Sequence, residues 1–247
     1  MQQTSFWKNN FVPLGVLLGV SFIIAIGIAG YTALAIKDSS NVLDVTGSAK
    51  IAVTSDQVKW SGDLERVVRA SVLQSGYAQI AKDNTLLVAF LKNQGVDMAS
   101  VDISPVSVQQ NYDYSNNGGN QEKEYTLRQH MSVSSTDIAK ITDVAKKAGT
   151  LIQEGVIFNA MAPEYYYSKL PDVRISLLSD AIKDAKTRAE KLAEFSGQGV
   201  GKLKKASIGV VQVLAKDATE VSDYGSYDTS TVEKDIMVTV HATFSLN

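Results

Sequence analysis

The pattern of apolar positions divides the chain into one unbroken apolar run and a longer region of mixed patterning. Residues 11–36 contain no Asp, Glu, Lys or Arg, and most of them are Leu, Ile, Val, Phe, Ala or Gly. A helix rises about 1.5 Å per residue and needs roughly 20 apolar residues to cross the hydrocarbon core of a bilayer. The run therefore predicts one transmembrane helix.

Alternating apolar and polar residues predict strands after this run. From Leu43 to Leu64 the alternation continues on both sides of a turn at Ser55 and Asp56, which predicts a long antiparallel hairpin. A second hairpin is predicted over residues 101–133, with a tip at residues 111–121 that is rich in Asn, Gly and Tyr. Further strands are predicted over residues 151–159, 206–214 and 236–246.

Helical spacing predicts three helices between these strands. The first has a stripe from Leu73 to Leu91 that includes Tyr77 and Asn84, and the second follows the N-cap candidates Ser134, Ser135 and Thr136. The third begins at Pro171 and carries spaced alanines on one side. The element order ββαββαβαββ defines an α+β fold of antiparallel hairpins with three packed helices.

These patterns predict the division of the chain into domains. Residues 1–10 form a cytoplasmic N-terminus, residues 11–36 a transmembrane signal anchor, residues 37–41 a short tether, and residues 42–247 one exported α+β domain. The positive amino terminus together with Lys8 favours this orientation. We therefore expect a single-pass protein of the inner (cytoplasmic) membrane whose C-terminal domain is periplasmic.

A removable signal peptide is the alternative interpretation of the apolar run. Ala33, Leu34 and Ala35 fit a small-x-small cleavage site, so cleavage after Ala35 stays open. Signal peptide cores usually span about 7–15 residues, and this run is far longer. Its length favours an uncleaved anchor, and either interpretation predicts an exported domain.

Composition and charge exclude several kinds of protein. The chain carries 24 basic and 26 acidic residues, so its overall charge offers no basic field for nucleic acid. It contains no cysteine, which excludes disulfides, thiolate metal sites and a cysteine nucleophile. We expect no nucleic-acid partner and no cofactor.

Three segments resemble the SIMPL domain family of exported proteins. Residues 45–56 (VTGSAKIAVTSD) resemble the family's first strand, with a glycine and a closing aspartate. Residues 101–114 (VDISPVSVQQNYDY) are similar to its second hairpin. Residues 181–208 (AIKDAKTRAEKLAEFSGQGVGKLKKASI) follow its helix-and-strand signature.

The resemblance covers nearly all of residues 42–247 and implies the same α+β fold. Family members form ring-like or cage-like oligomers, so it also implies a homo-oligomer. It implies no catalytic residues, because the family has no established active site. Its links to stress tolerance and to surface antigens are phenotypes and define no mechanism.

The residues themselves predict no catalytic or metal site. His130 and His241 each lie on the strand parity opposite to the apolar residues, so we expect both on the surface. Gly197, Gly199 and Gly201 follow a helix and precede a strand, the reverse of a dinucleotide loop. The acids between residues 216 and 231 match no EF-hand spacing and predict a solvated loop.

Tyrosine-rich loops are the best candidates for binding a partner. Tyrosine offers rigid contact area at low entropy cost, and small polar neighbours add adaptable hydrogen bonds. The candidate partner-binding residues are Tyr112, Tyr114, Tyr165, Tyr166, Tyr167, Tyr224 and Tyr227. The alternative is that these segments are plain polar connections.

Together these features predict a membrane-anchored, non-enzymatic, oligomeric scaffold or binding module of the cell envelope, linked by the resemblance to stress tolerance. Its expected partners are membrane lipid through residues 11–36, further copies of the chain and an envelope protein. Two alternatives stay open. One is an accessory subunit of a larger envelope complex; the other is a ligand-binding protein or enzyme with a carboxylate and tyrosine site in its loops.

Overall fold

The structure is a computed structural model that describes residues 11–111, 122–219 and 222–247. Side chains are described for the same residues except 11–13 and 33–40. The predicted cytoplasmic segment, residues 1–10, lies outside the described residues. So does nearly all of the tip of the second predicted hairpin, residues 112–121.

Four α-helices are described. They are α1 (Phe11–Ser40), α2 (Leu73–Asn93), α3 (Ile138–Lys147) and α4 (Leu170–Phe195). Helix α1 contains the apolar stretch Leu14–Thr32, which is long and apolar enough to cross a membrane and has no buried residue. Residues 37–40, predicted as part of a tether, continue α1, so Asn41 alone separates α1 from the first strand.

In the described part of the chain, ten strands form two antiparallel sheets. They are β1 (Val42–Thr54), β2 (Gln57–Arg69), β3 (Val101–Ile103), β4 (Ser107–Asn111), β5 (Glu124–Ser135), β6 (Phe158–Ala160), β7 (Glu164–Tyr166), β8 (Val200–Ile208), β9 (Gln212–Ala215) and β10 (Glu233–Leu246). Helices α2, α3 and α4 accompany these sheets, which confirms the predicted α+β class.

The chain separates into two compact units, which we describe one at a time. Unit 1 comprises the residues up to Ala49 together with Leu178–Gly209 and Val238–Asn247. Unit 2 comprises Lys50–Leu177 and Val210–Met237. Unit 2 lies wholly within residues 42–247, the range predicted as a single domain, whereas unit 1 combines parts of that range with α1 and Asn41.

Unit 1 has a core of small residues between α4 and a sheet. The predicted alanine stripe is confirmed, because Ala181, Ala185 and Ala189 have no exposed surface. They pack with Val45 of β1 and with the inward residues of β10, of which Phe244 is one. Strand β10 lies between β1 and β8, and alanines in α4 allow its backbone to approach this sheet closely.

Unit 2 contains a six-stranded sheet and the larger core. Strand β2 lies between β5 on one side and the short strands β6 and β7 on the other, while β3 and β4 pair with the far edge of β5. The predicted inward residues Val58, Trp60 and Leu64 are each 1% exposed. They pack with Ile80 and Leu87 of α2, and burying each such side chain contributes about 1.5–3 kcal/mol.

The first predicted hairpin is wrong, because β1 and β2 belong to different sheets. Both edges of β2 are already paired, so none remains for β1. The chain crosses between sheets at the expected turn. There the amide of Ser55 donates to the carbonyl of Val232, and that of Asp56 donates to the carbonyl of Tyr166. The second hairpin is confirmed, since β4 and β5 pair antiparallel.

Three local predictions are also corrected. Residues 151–154, the start of the strand predicted over 151–159, belong instead to a 3-10 helix (Ala148–Glu154), which ends at Gly155 with a φ of +76°, whereas Phe158 and Asn159 do lie in a strand. Asp137, not a residue of 134–136, caps α3 by accepting from the amide of Lys140. The buried stripe of α2 contains Asp83 in place of Tyr77 and Asn84, because Asp83 has a cationic partner on β2.

Candidate functional site

A cleft of about 540 Å³ opens in unit 2 where strand and helix ends meet. It is formed by the start of β2, the end of β5, the start of α3, the loop after α2 and the end of β7. Its lining residues are Gln57, Val58, Lys59, Gly95, Val96, Asp97, Ser100, Ser134, Ser135, Thr136, Lys140, Ile141 and Tyr166. A volume of this size suits a small molecule or a short peptide segment.

Turn and cap chemistry fixes the rim of this cleft. Gly95 adopts a φ of +75°, which ends α2 and returns the chain toward the sheet. The carboxylate of Asp97 accepts from the amide of Ala99 at 3.0 Å, which holds the following turn. At the other side, the hydroxyl of Ser135 accepts from the amide of Asp137 at 3.0 Å. The rim is therefore built from short hydrogen-bonded turns.

The cleft is polar and carries two lysines. Lys59 comes from β2 and Lys140 from α3, and both are exposed. The ammonium of Lys140 lies 3.5 Å from the carboxylate of Asp137, which is itself half exposed. Asp97 is the acidic group of the lining, and the hydroxyls of Ser134 and Thr136 add donors and acceptors. This set suits a polar ligand that carries a negative group.

Tyr166 supplies the aromatic part of the cleft. Its hydroxyl donates to a carboxylate oxygen of Glu164 at 2.8 Å. That hydrogen bond, with burial and the negative charge of Glu164, raises the pKa of Tyr166. The phenol therefore stays protonated at neutral pH and acts as a hydrogen-bonding wall rather than as a base.

The structure brings several of the predicted tyrosines together in unit 2. The rings of Tyr166 and Tyr227 lie 5.9 Å apart, and the hydroxyl of Tyr227 accepts from the amide of Tyr167 at 3.3 Å. Tyr165 points inward, with its hydroxyl 3.0 Å from that of Thr142. Tyr224 is 96% exposed.

The two remaining candidates, Tyr112 and Tyr114, lie outside the described residues. Of the seven predicted tyrosines, Tyr166, Tyr167 and Tyr227 therefore form one group, and Tyr166 lines the cleft. Lys59 and the hydroxyl residues of the lining were not predicted as site residues. An isolated lysine or serine on a strand is typical of any solvated face, so the sequence offered no signal for them.

Asp56 fixes the chain directly after the three consecutive tyrosines, residues 165–167. Its carboxylate accepts from the amide and from the hydroxyl of Ser168, at 2.8 and 2.6 Å. Burial raises the pKa of Asp56, but the hydrogen bonds from Ser168 and from the backbone of Asp56, together with the positive charge of Lys169, bring the pKa below its ordinary value. The closing aspartate of the first strand motif thus positions Tyr166 instead of closing a hairpin turn.

Asp228 fixes the loop that carries Tyr227. Its carboxylate accepts from the amides and hydroxyls of Ser230 and Thr231 and lies 3.0 Å from the ammonium of Lys234. Burial by itself would raise the pKa of Asp228, but these hydrogen bonds have the larger combined effect. The pKa of Asp228 therefore lies well below its ordinary value. Lys234 has no exposed surface, so Asp228 is an internal anchor, and the prediction of a solvated acid is wrong here.

The histidines lie on the surface, as predicted. The Nδ1 of His130 is 2.9 Å from a carboxylate oxygen of Asp63, and that of His241 is 2.9 Å from the hydroxyl of Thr46. His241 also lines a small cleft of about 280 Å³ on unit 1. Among the residues that the structure describes, no three His, Asp or Glu side chains are grouped to hold a metal ion.

The fold and the site define an α+β protein with an N-terminal apolar helix and a polar cleft. The sequence model of the SIMPL family, described as a protein of unknown function (DUF541), matches residues 43–244. The chain therefore belongs to the SIMPL family. No curated protein matches the chain.

Proposed function

We propose that the protein is anchored in the inner membrane by α1, with a cytoplasmic N-terminus and its two units on the periplasmic side. The observation that carries the proposal is the apolar stretch Leu14–Thr32, in which every residue is exposed. Exposed apolar surface of this extent is unfavourable in water, and a bilayer removes it from water. The same helix favours a retained anchor over cleavage after Ala35.

The activity that we propose is binding without catalysis. The cleft of unit 2 combines a tyrosine wall, several hydroxyls and two lysines, which suits a polar ligand or peptide with a negative group. Tyr166 has a raised pKa and is engaged with Glu164, so it is a poor general base at neutral pH. Catalysis by carboxylates and tyrosines in the loops remains the competing hypothesis.

We further propose that the anchored protein forms homo-oligomers and acts as a scaffold, with a role in stress tolerance. Strand β8 lies at the end of the strand order of its sheet, which favours pairing with another chain. Lys202, Lys204 and Lys205 on this strand oppose pairing between two equal copies, so a different surface of the partner copy is required. A subunit role in a larger envelope complex is the alternative.

The test of the anchor is carbonate extraction of membranes from cells that express the full chain. The protein is expected in the pellet, because a membrane-spanning helix resists alkaline extraction. Replacing Ile23 and Ile26 by aspartate is expected to release it, because each charge at the bilayer centre costs about 2.5–3.5 kcal/mol. Release of the unaltered protein would contradict the anchor. Light scattering in detergent then tests the oligomer, and a monomer at all concentrations would exclude it.

A further inference from the structure

The end of α4 exposes two large apolar side chains on unit 1. Phe195 is 93% exposed and Leu192 is 54% exposed, although both lie on a helix whose inner face is fully buried. Single exposed apolar residues are ordinary on protein surfaces. This pair stands apart because of where it lies in the unit and which charges surround it.

Backbone hydrogen bonds place this end of unit 1 beside the end of α1. The amide of Leu246 donates to the carbonyl of Asn41, and the side-chain amide of Asn41 donates to the carbonyl of Leu246. Asn247 exchanges backbone hydrogen bonds with Gly199, only four residues after Phe195. Phe195 therefore lies at the end of the unit where the chain leaves α1.

The length of α1 sets the distance from this end to the bilayer. From Thr32, the last residue of the apolar stretch, to Ser40 the helix rises about 12 Å. The headgroup layer on each side of the hydrocarbon is roughly 5–8 Å thick. For a helix along the bilayer normal, only a few ångströms then separate the headgroups from Asn41, which is hydrogen-bonded to the same end of unit 1.

The charge of the same segment is positive, in contrast to the whole chain. Residues 191–205 contain four lysines and one glutamate, whereas the chain has a formal net charge of −2. Lys191, one turn before Phe195, has a side chain that is 74% exposed and lies 3.3 Å from Glu194. Lys202 is exposed at the start of β8, where its amide donates to the hydroxyl of Ser245.

We propose that Lys191, Leu192, Phe195 and Lys202, which we call the membrane-proximal patch, bind the anionic surface of the bilayer that holds α1. The proposal rests on the anchor proposed above. Phe195 and Leu192 enter the boundary between headgroups and acyl chains, while the lysines contact lipid phosphates. This second attachment fixes the orientation of unit 1 on the membrane.

The absence of cysteine from the chain allows a single-site probe of this contact. Gln198→Cys carries a spin label in the exposed turn next to the patch and leaves all four patch residues intact. Ile208→Cys is the matched control, because Ile208 is 60% exposed at the opposite end of β8. Each full-length protein is inserted into vesicles of phosphatidylcholine alone or with about 30% phosphatidylglycerol. Accessibility to a water-soluble nickel relaxing agent is then measured.

The patch predicts that accessibility at position 198 falls by about threefold in the anionic vesicles, relative to detergent, while position 208 changes little. Adding Phe195→Ser and Lys202→Gln to the Gln198→Cys protein should restore accessibility. If the label at position 198 is as accessible to the nickel agent as the label at position 208 in anionic vesicles, the patch does not bind the membrane. Carbonate extraction of the same vesicles separates this result from failure of the anchor, since loss of the protein from the pellet contradicts the anchor itself.

Discussion

Arg66 and Asp83 form a two-pronged ion pair inside unit 2. The Nε of Arg66 lies 2.6 Å from Oδ2 of Asp83, and its Nη2 lies 2.9 Å from Oδ1. The same Nη2 donates to the carbonyl of Gly155 at 2.6 Å. These contacts join β2, α2 and the turn after the 3-10 helix, and Asp83 is only 1% exposed whereas the side chain of Arg66 is 22% exposed.

Breaking this pair is expected to destabilise unit 2. Asp83→Leu leaves the guanidinium of Arg66 without its carboxylate, and losing one partner of a buried pair costs about 3 kcal/mol. Asp143→Leu is the matched control, because Asp143 pairs with Lys147 at the surface. Denaturant unfolding followed by the fluorescence of buried Trp60 measures both variants. Equal unfolding midpoints for the two would contradict the role of the pair.

Lys234 is expected to stabilise the loop that carries Tyr227. Lys234→Met leaves the carboxylate of Asp228 without the ammonium that lies 3.0 Å away, and we expect a loss of about 3 kcal/mol. Lys216→Met, which removes an exposed lysine that pairs with Glu233, should leave the unfolding midpoint in place. If Lys234→Met unfolds at the midpoint of the unaltered protein, the buried ammonium does not stabilise this loop.

The lowered pKa of Asp228 predicts a loss of stability in acid. Its ionised form is favoured in the folded state, so its folded pKa lies below the ordinary value of 3.8. The stabilisation is therefore complete above the unfolded pKa and is lost as the pH falls through the folded pKa. Asp228→Asn should flatten the fall in unfolding free energy between about pH 5 and 2. An unchanged slope would show that other groups control acid unfolding.

Gly47 is expected to accept no side chain. A Cβ at this position would lie 2.7 Å from the Cβ of Ala185 and closer still to the backbone of α4. Gly47→Ala should therefore cost at least about 1–3 kcal/mol by overpacking. Gly199→Ala, in the same unit, has open space around the new Cβ and serves as the control. Thermal unfolding should separate the two variants, and a neutral Gly47→Ala would contradict the tight contact.

The sequence correctly predicted elements that bury one face against a single neighbouring layer. Strand β10 buries Val238, Val240 and Ala242 on one parity, and the alanines of α4 fall on one side, because one neighbouring layer decides each pattern. The pairing of β1 could not be predicted in this way. The sequence pattern of a short link at Ser55 and Asp56 is the same whether β1 and β2 pair with each other or enter different sheets.

The candidate site was less predictable than the fold. Tyr166 stood out as an aromatic residue in a polar segment, whereas Lys59 becomes part of a cleft only where β2, β5 and α3 meet. Asp83 was not predicted as a buried residue, because a charged side chain is expected in the core only when an oppositely charged partner is known. Arg66 lies 17 residues earlier on another element, and no local pattern links the two.

The intact mass of the membrane-bound protein tests most directly whether α1 remains in the protein and anchors it. The full chain has a mass of 26.6 kDa, and a retained anchor predicts this mass in the pellet after carbonate extraction. A soluble product that lacks residues 1–35 would show cleavage after Ala35 and would contradict the anchor.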